Sequence, residues 1–148
     1  AAGRRVLPLQ EFVLGNRRTA LREGEMVTAI LIPDDAAKAN GHFLKLGSRQ
    51  YLVISFVMVA TLLEADANGS ITQARISVGA CSEVACRLAD LEVDLIGVSL
   101  AEAGNIAAPN HLKDLSPISD IRATAEYRKD AALELVRRSL SACAEGLS

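Results

Sequence analysis

The chain has very little aromatic surface and no surplus of charge of either sign. Only 3% of its 148 residues are aromatic and none is Trp, so platforms that stack the bases of single-stranded nucleic acid are not expected. The formal net charge is −2, with 16 basic and 18 acidic residues. Nucleic acids and membrane surfaces attract proteins through concentrated basic charge. We therefore expect neither nucleic acid nor a membrane as a partner.

Cysteine and long apolar runs are scarce as well. The three cysteines form an odd and sparse set, which fits a reducing compartment better than a disulfide framework. We find no charged start followed by an apolar stretch, as in a secretory signal. No apolar stretch reaches the about 20 residues that a membrane span requires. We expect a cytoplasmic protein.

Length and composition allow one domain, or one domain with an attached piece. Half of the residues are apolar, and a chain of this size buries roughly 70% of its unfolded surface, so no metal or disulfide is needed for folding. The sequence begins Ala-Ala-Gly-Arg-Arg, without an initiator Met, and we expect a processed chain or a piece of a longer protein. The polar stretch 34–41 has loop composition, and we place a boundary there.

The stretch 42–64 is expected to organise the fold. Its first half alternates like a strand, with Phe43 directed inward and Lys45 carrying a charge, until a Gly-Ser pair interrupts it. The second half, 52–64, is apolar on nearly every side, and its Met, Ala and Leu residues favour a helix despite its valines. A helix that is apolar all round is normally central. This pattern predicts a buried spine helix.

The remaining segments predict an α+β layer, with about three strands and three or four helices packed on one face of a small sheet. Strands are predicted at 25–32, at 70–80 and as a short end at 4–9. Helices are predicted at 90–96 before Gly97, and from Ser99, which has capping-box spacing to Glu102. Parallel and antiparallel pairing are both compatible with these residues.

A long amphipathic helix is predicted to follow Thr124, which can cap it, with Glu126 in the first turn. Apolar residues recur along it at steps of three and four. The charged residues are assigned to its wet side: Arg128, Lys129, Glu134, Arg137 and Arg138.

Few residues suggest chemistry by themselves. Gly47-Ser48-Arg49 is a turn at a predicted helix start, where an anion can bind, although an ordinary turn is the favoured interpretation. Lys45 reads as a solvated charge whose stem covers apolar surface. Residues 119–128 form a polar cluster that is best explained by helix capping and by ion pairs with Asp120.

Other candidates are set aside. His42 and His111 have no recognisable partner motif, and we assign neither a catalytic role. Cys81 and Cys86 do not have zinc-ligand spacing and are interpreted as buried, inert thiols. We find no dinucleotide fingerprint, P-loop or nucleophile elbow. The residues alone therefore define no catalytic or metal site.

Several segments, in order and spacing over nearly the whole chain, resemble the flavoprotein subunit of the molybdenum hydroxylases, the carbon monoxide dehydrogenase and xanthine dehydrogenase family. The N-terminal matches are Leu9-Gln-Glu-Phe12, Gly15, Arg17-Arg18-Thr19, Leu21 and Glu25 to Pro33. The later matches are Phe43-x-Lys45-x-Gly-Ser-Arg49, Ile54-Ser55, Ala60, Ser77-Val-Gly79, Glu92, Leu95, Gly97, Ser119-Asp120-x-Arg122-Ala and Glu126-Tyr127-Arg128.

The resemblance implies an antiparallel α+β domain at 38–148, and it identifies 1–34 as the tail of an upstream FAD-binding domain. FAD would be held mainly by that upstream domain, whose glycine-rich loops are not found in this sequence. By position in the family's pattern, Val27 and Lys45 would contact FAD from this side. A lysine there is reasonable, because its ammonium stabilises a negatively charged flavin or a phosphate.

The resemblance also implies partners. The molybdenum cofactor and the iron–sulfur clusters would lie in separate subunits, and electrons would reach FAD and leave to NAD or another acceptor. We expect the C-terminal portion of an electron-transfer subunit, inactive by itself. The alternative is a non-enzymatic binding or dimerisation domain of the same α+β fold without flavin, because a fold does not fix a function.

Overall fold

An antiparallel sheet crossed by one long helix is the centre of the fold, which we describe from a computed structural model for residues 3–51 and 53–147. The strands are β1 Val13–Gly15, β2 Arg18–Thr19, β3 Asn40–Gly47, β4 Ser55–Ala65, β5 Ile71–Gly79 and β6 Cys86–Arg87. The α-helices are α1 Leu9–Phe12, α2 Asp34–Lys38, α3 Ala89–Asp94, α4 Ala103–Ile106 and α5 Ala125–Glu145, and two 3-10 helices span Leu100–Glu102 and Pro109–Leu112.

The main sheet has the strand order β3-β4-β5-β6, and each neighbouring pair is antiparallel. Strands β1 and β2 form a separate small hairpin. The α+β class and the antiparallel pairing are confirmed. The main sheet has four strands where about three were predicted, and only β3 and β5 match predicted strands. Strand β4 was predicted as a helix, and the two-residue β6 follows a loop too irregular to be assigned from sequence.

The predicted spine helix at 52–64 is wrong. Residues Ser55–Ala65 form β4, which is hydrogen-bonded to β3 on one side and to β5 on the other; Leu52 lies outside the described residues. The apolar run is continuous because apolar residues lie on both faces of this strand. Periodicity alone does not separate such a run from a buried helix.

Burial along β4 alternates with the period of a strand. Val57, Val59, Thr61 and Leu63 are buried on the face towards α5, whereas the residues between them lie on the opposite face and are more exposed. We call this opposite side the open face of the sheet. Phe43 lies on it and is 59% exposed. The prediction that Phe43 points inward is therefore wrong. The residues before and after it in the sequence of β3 are half-buried instead.

The prediction of the long helix α5 is confirmed. Thr124 caps it, because its hydroxyl oxygen accepts a hydrogen bond from the N–H of Tyr127 at 3.1 Å. The helix packs on β3 and β4. Its buried residues are Arg128, Ala132, Val136, Ser139, Leu140, Cys143 and Ala144.

Two other predicted elements are also confirmed. Strand β5 falls within the predicted 70–80, and α3 falls at the predicted 90–96. Gly97 follows with a φ of +82°, a left-handed conformation that suits glycine and ends the turn. The buried side chains of β5, α3 and α5 form one hydrophobic core.

Other expectations are not met. Residues 25–32 and 4–8 are extended or irregular and pair with no strand among the described residues. The stretch 34–41, expected to be a loop, contains α2 and the start of β3, and Asp35 forms an ion pair with Arg75 of the sheet at 2.5 Å. The domain boundary placed there stays a prediction. Ser99 does precede a helical turn, but its side chain makes no cap hydrogen bond.

Candidate functional site

Lys45 lies on the open face of the sheet, where the alternation of β3 directs its side chain away from α5. Its cross-strand neighbour is Met58, and its Nζ donates a hydrogen bond to the carbonyl of Val53 at 3.0 Å. The acceptor belongs to the connection between β3 and β4, of which residues 48–51 and 53–54 are described and which we call the β3–β4 loop. The loop therefore fixes the position of the Lys45 ammonium although the side chain is exposed.

An open hollow of about 380 Å³ lies beside this ammonium, lined by Lys45, Leu46, Gly47, Arg49 and Gln50. Gly47 permits the close approach of the loop, because a Cβ at this position would come within 2.6 Å of a Val53 methyl. The Lys45 ammonium at this hollow can receive an anionic group. Gly47-Ser48-Arg49 does not start a helix, because the chain continues from this loop into a strand, so the ordinary turn favoured from the sequence is the better description.

Val27, the other predicted flavin contact, lies in the irregular segment before α2 and is 53% exposed. It is not among the residues that line the hollow at Lys45. The structure thus does not bring the two predicted residues together in one cavity. Both assignments remain predictions.

The polar cluster before α5 is centred on Asp120 and Arg128. Asp120 accepts hydrogen bonds from the N–H groups of Arg122 and Ala123, at 2.9 and 3.1 Å, and from the guanidinium of Arg122 at 2.9 Å. The Arg128 guanidinium donates to the same carboxylate at 3.0 Å. These donors, first of all the N–H of Arg122, lower the pKa of Asp120 to about 2.

The sequence-based assignment of Arg128 is wrong. Its charge places it on the wet side of α5, but the side chain is only 3% exposed. Its Nη1 donates to the carbonyl of Phe56 at 3.1 Å, and its guanidinium lies 5.6 Å from the centre of the Phe56 ring. The helical period carries the correct signal, because Arg128 precedes Ala132 and Val136 at steps of four, on the buried stripe.

The remaining titratable candidates have structural partners. Nε2 of His111 lies 3.0 Å from the Asp94 carboxylate, and its Nδ1 accepts from the N–H of Ala108 at 3.0 Å. The Cys81 thiol is buried, which raises its pKa to about 11. Among residues 3–51 and 53–147, no group of three His, Cys, Asp or Glu side chains could hold a metal ion.

Comparison with known proteins identifies this arrangement of strands and helix. Residues 42–143 match the model of the CO dehydrogenase flavoprotein C-terminal domain, and the chain belongs to this family. The matched range includes most of β3 with Lys45, the β3–β4 loop and Arg128 of α5.

Two curated relatives are medium subunits of larger enzymes. The chain is 32% identical over 139 residues to the nicotine 6-hydroxylase medium subunit of Paenarthrobacter nicotinovorans, an alignment that covers 93% of this chain and 48% of that protein. It is 28% identical over 141 residues to the carbon monoxide dehydrogenase medium chain of Hydrogenophaga pseudoflava, covering 95% and 48%. The chain thus spans about half the length of the curated relatives it matches.

Solved structures have the same fold. Quinoline 2-oxidoreductase from Pseudomonas putida 86 superimposes with a TM-score of 0.81 at 26% identity, over 99% of this chain and 50% of that one. CO dehydrogenase from Oligotropha carboxidovorans gives a TM-score of 0.78 at 23% identity, over 95% and 49%, which shows the fold alone. In the described residues no helix is long and apolar enough to cross a membrane.

Proposed function

We propose that this chain is the C-terminal portion of the FAD-binding medium subunit of a molybdenum hydroxylase, and that Lys45 contacts the flavin. The observation that carries the proposal is the match of residues 42–143 to the flavoprotein C-terminal domain, which covers the strand on which Lys45 lies. The relatives named above are medium subunits of two different oxidoreductases.

The geometry of Lys45 fits this role. An ammonium has three N–H donors, and one of them is used on the Val53 carbonyl. Lys45 is exposed and lines the hollow, where an anionic edge of a flavin or a phosphate can accept a hydrogen bond from its ammonium. The Val53 carbonyl restricts the Lys45 side chain before a ligand binds, which lowers the conformational entropy lost on binding.

FAD, when bound, would accept electrons from the enzyme's iron–sulfur clusters and release them to an acceptor, for which NAD is one candidate. In this proposal Lys45 positions the cofactor and stabilises its negative charge. The iron–sulfur subunit and the molybdenum-cofactor subunit are the proposed partners. Substrate oxidation takes place in the molybdenum subunit, and the three free thiols agree with a cytoplasmic location.

We further propose that the N-terminal segment 1–34 belongs to the upstream FAD-binding domain. Large apolar side chains are concentrated at residues 26–32, where the backbone pairs with no strand of the described chain, and their exposed fractions run from 53% for Val27 to 84% for Ile30. Apolar surface of this density is normally covered. Pairing with an upstream sheet would bury it and bring Val27 towards the flavin.

The test uses the full-length subunit with its upstream half. Purified protein is expected to show a flavin absorption spectrum. Lys45→Ala should weaken FAD binding by about ten- to a hundredfold, because a hydrogen bond from a charged donor contributes about 1.5–3 kcal/mol. Titration of the flavin-free subunit with FAD, followed by flavin fluorescence, measures the dissociation constant.

Lys113→Ala is the matched control. Lys113 is also an exposed lysine with one partner, Asp90 at 2.6 Å, but it lies outside the hollow. It should leave FAD affinity within twofold. A full-length subunit that takes up no FAD would favour the non-enzymatic binding domain, and equal affinities of wild type and Lys45→Ala would remove the role of Lys45.

A further inference from the structure

We propose that Arg128 and Asp120 are positioning residues, which hold the β3–β4 loop and thereby place the Lys45 ammonium at its hollow. This inference rests on the proposed function, since it concerns the same flavin contact. It adds two residues that lie on and before α5 and do not line the hollow itself.

The guanidinium of Arg128 is a buried charge. Arginine is almost never fully buried unless it is paired, and removing a charge from water costs several kcal/mol. Arg128 is 3% exposed, and its Nε finds no acceptor among the described residues. A Met or Leu would fill this site at lower cost. What the guanidinium provides is a pair of donors in a fixed geometry, one to Asp120 and one to the main chain of Phe56.

The pairing of β3 with β4 is irregular at Phe56. Between Leu46 and Gly47 the register of β3 against β4 shifts, so that Leu46 pairs with Val57 and Gly47 with Ser55. Phe56 is left without a partner residue in β3, and the pairing of β4 with β5 begins only at Met58. A carbonyl at such a bulge needs a donor from elsewhere.

Arg128 supplies that donor. Its Nη1 lies 3.1 Å from the Phe56 oxygen, and the Cys81 thiol donates weakly to the same oxygen at 3.7 Å. Asp120 orients the guanidinium from the other side, and it is itself held by two backbone N–H groups. The start of β4, directly after the β3–β4 loop, is thus fixed to the start of α5.

The contact between Arg128 and the Phe56 carbonyl is connected to Lys45 through Val53. Val53, whose carbonyl accepts the Lys45 ammonium, is three residues before Phe56 along the chain. If the Phe56 carbonyl is released, the bulge can shift and the Val53 carbonyl moves with it. Lys45 then loses its restraint, although neither its own strand nor its charge has changed.

A double-mutant cycle in the full-length subunit tests the coupling. The variants are Arg128→Met, Lys45→Ala and both together, and the FAD dissociation constant is measured by fluorescence titration of the flavin-free protein. Arg128→Met alone should weaken FAD binding roughly fivefold or more, and it should add less than about twofold once Lys45 is Ala, as expected for residues acting through one contact. A purely structural role would weaken both backgrounds equally.

Arg138→Met is the control, because Arg138 is an exposed arginine of the same helix whose partner is Glu134, and it should leave FAD affinity unchanged. If Arg128→Met does not fold, Asp120→Asn replaces it, since it keeps Arg128 but weakens its orientation. The positioning role is overturned if Arg128→Met weakens FAD binding equally in the wild type and in Lys45→Ala. It is also overturned if Lys45→Ala weakens FAD binding and Arg128→Met does not. Neither result affects the proposed flavin contact of Lys45. An ineffective Lys45→Ala overturns the proposed flavin contact and this inference with it.

Discussion

Two adjacent leucines of β4 give the sharpest test of the sheet. Leu63 is 0% exposed on the face that packs against α5, whereas Leu62 lies on the open face, half-buried over Gly41 of β3. We expect Leu63→Ala to destabilise the chain much more than Leu62→Ala. The two substitutions remove the same atoms, one position apart, so intrinsic propensities largely cancel.

The magnitudes follow from burial. Removing a fully buried leucine side chain costs about 2–5 kcal/mol, which includes the cavity left behind. Leu62 would lose only part of the roughly 1.5–3 kcal/mol for complete burial and leave no closed cavity, so about 1 kcal/mol is expected. For a chain of this size, each 1 kcal/mol lowers Tm by roughly 2–4 °C.

Urea titration of the 148-residue chain, followed by circular dichroism, measures both free energies of unfolding. Unchanged m-values would show that the two variants unfold from the same native state. Similar losses at both positions would refute the alternation, because they would put both side chains in the same environment, as the helix predicted for 52–64 would. Val59→Ala, on the same face as Leu63, should also be costly.

Two further predictions concern the ends of helices. Asp120→Asn should lower the free energy of unfolding at pH 7, but less so in acid. The pKa of Asp120 in the fold is about 2, below the usual 3.9. The stabilisation by this carboxylate is therefore complete above about pH 4 and is lost as pH falls towards 2. The unfolding free energies of wild type and Asp120→Asn should therefore converge at low pH, and a constant difference would contradict the role of the carboxylate. Gly97→Ala should lower the free energy of unfolding by about 1–2 kcal/mol, because φ is +82°. A Cβ there meets no atom within 4 Å, so the loss comes from backbone conformation alone. Gly97→Asn should recover part of it in thermal unfolding, because asparagine tolerates this conformation.

The elements that can be predicted correctly from the sequence are those with a local signal. Helix α5 has a capping threonine and a regular apolar stripe, and β5 alternates between polar and apolar residues. Both signals act within a few residues and need no knowledge of the partner element. The family resemblance is carried by short motifs in a fixed order, and it indicates both the fold and the candidate lysine.

The prediction errors arise where contacts with residues distant in the sequence determine the structure. The run in β4 becomes a strand because β3 and β5 lie on either side of it, and no local preference among its valines, leucines and methionine expresses that. Residues 25–32 have strand composition but find no partner strand within the described part of the chain. The charge of Arg128 suggests a wet position, whereas its place in the helical period is the better guide.

Helix α5, which completes the core, is separated from β3 by a long stretch of chain. Asn40 and Cys143 exchange two hydrogen bonds across 103 residues, the amide of Asn40 donating to the Cys143 carbonyl at 2.6 Å and the thiol donating back at 3.1 Å. On the ribosome the sheet is therefore synthesised well before the helix that covers it. Until α5 emerges, the apolar side of β4 and β5 faces water, and a ribosome stalled before Thr124 would present an aggregation-prone surface for chaperones to bind.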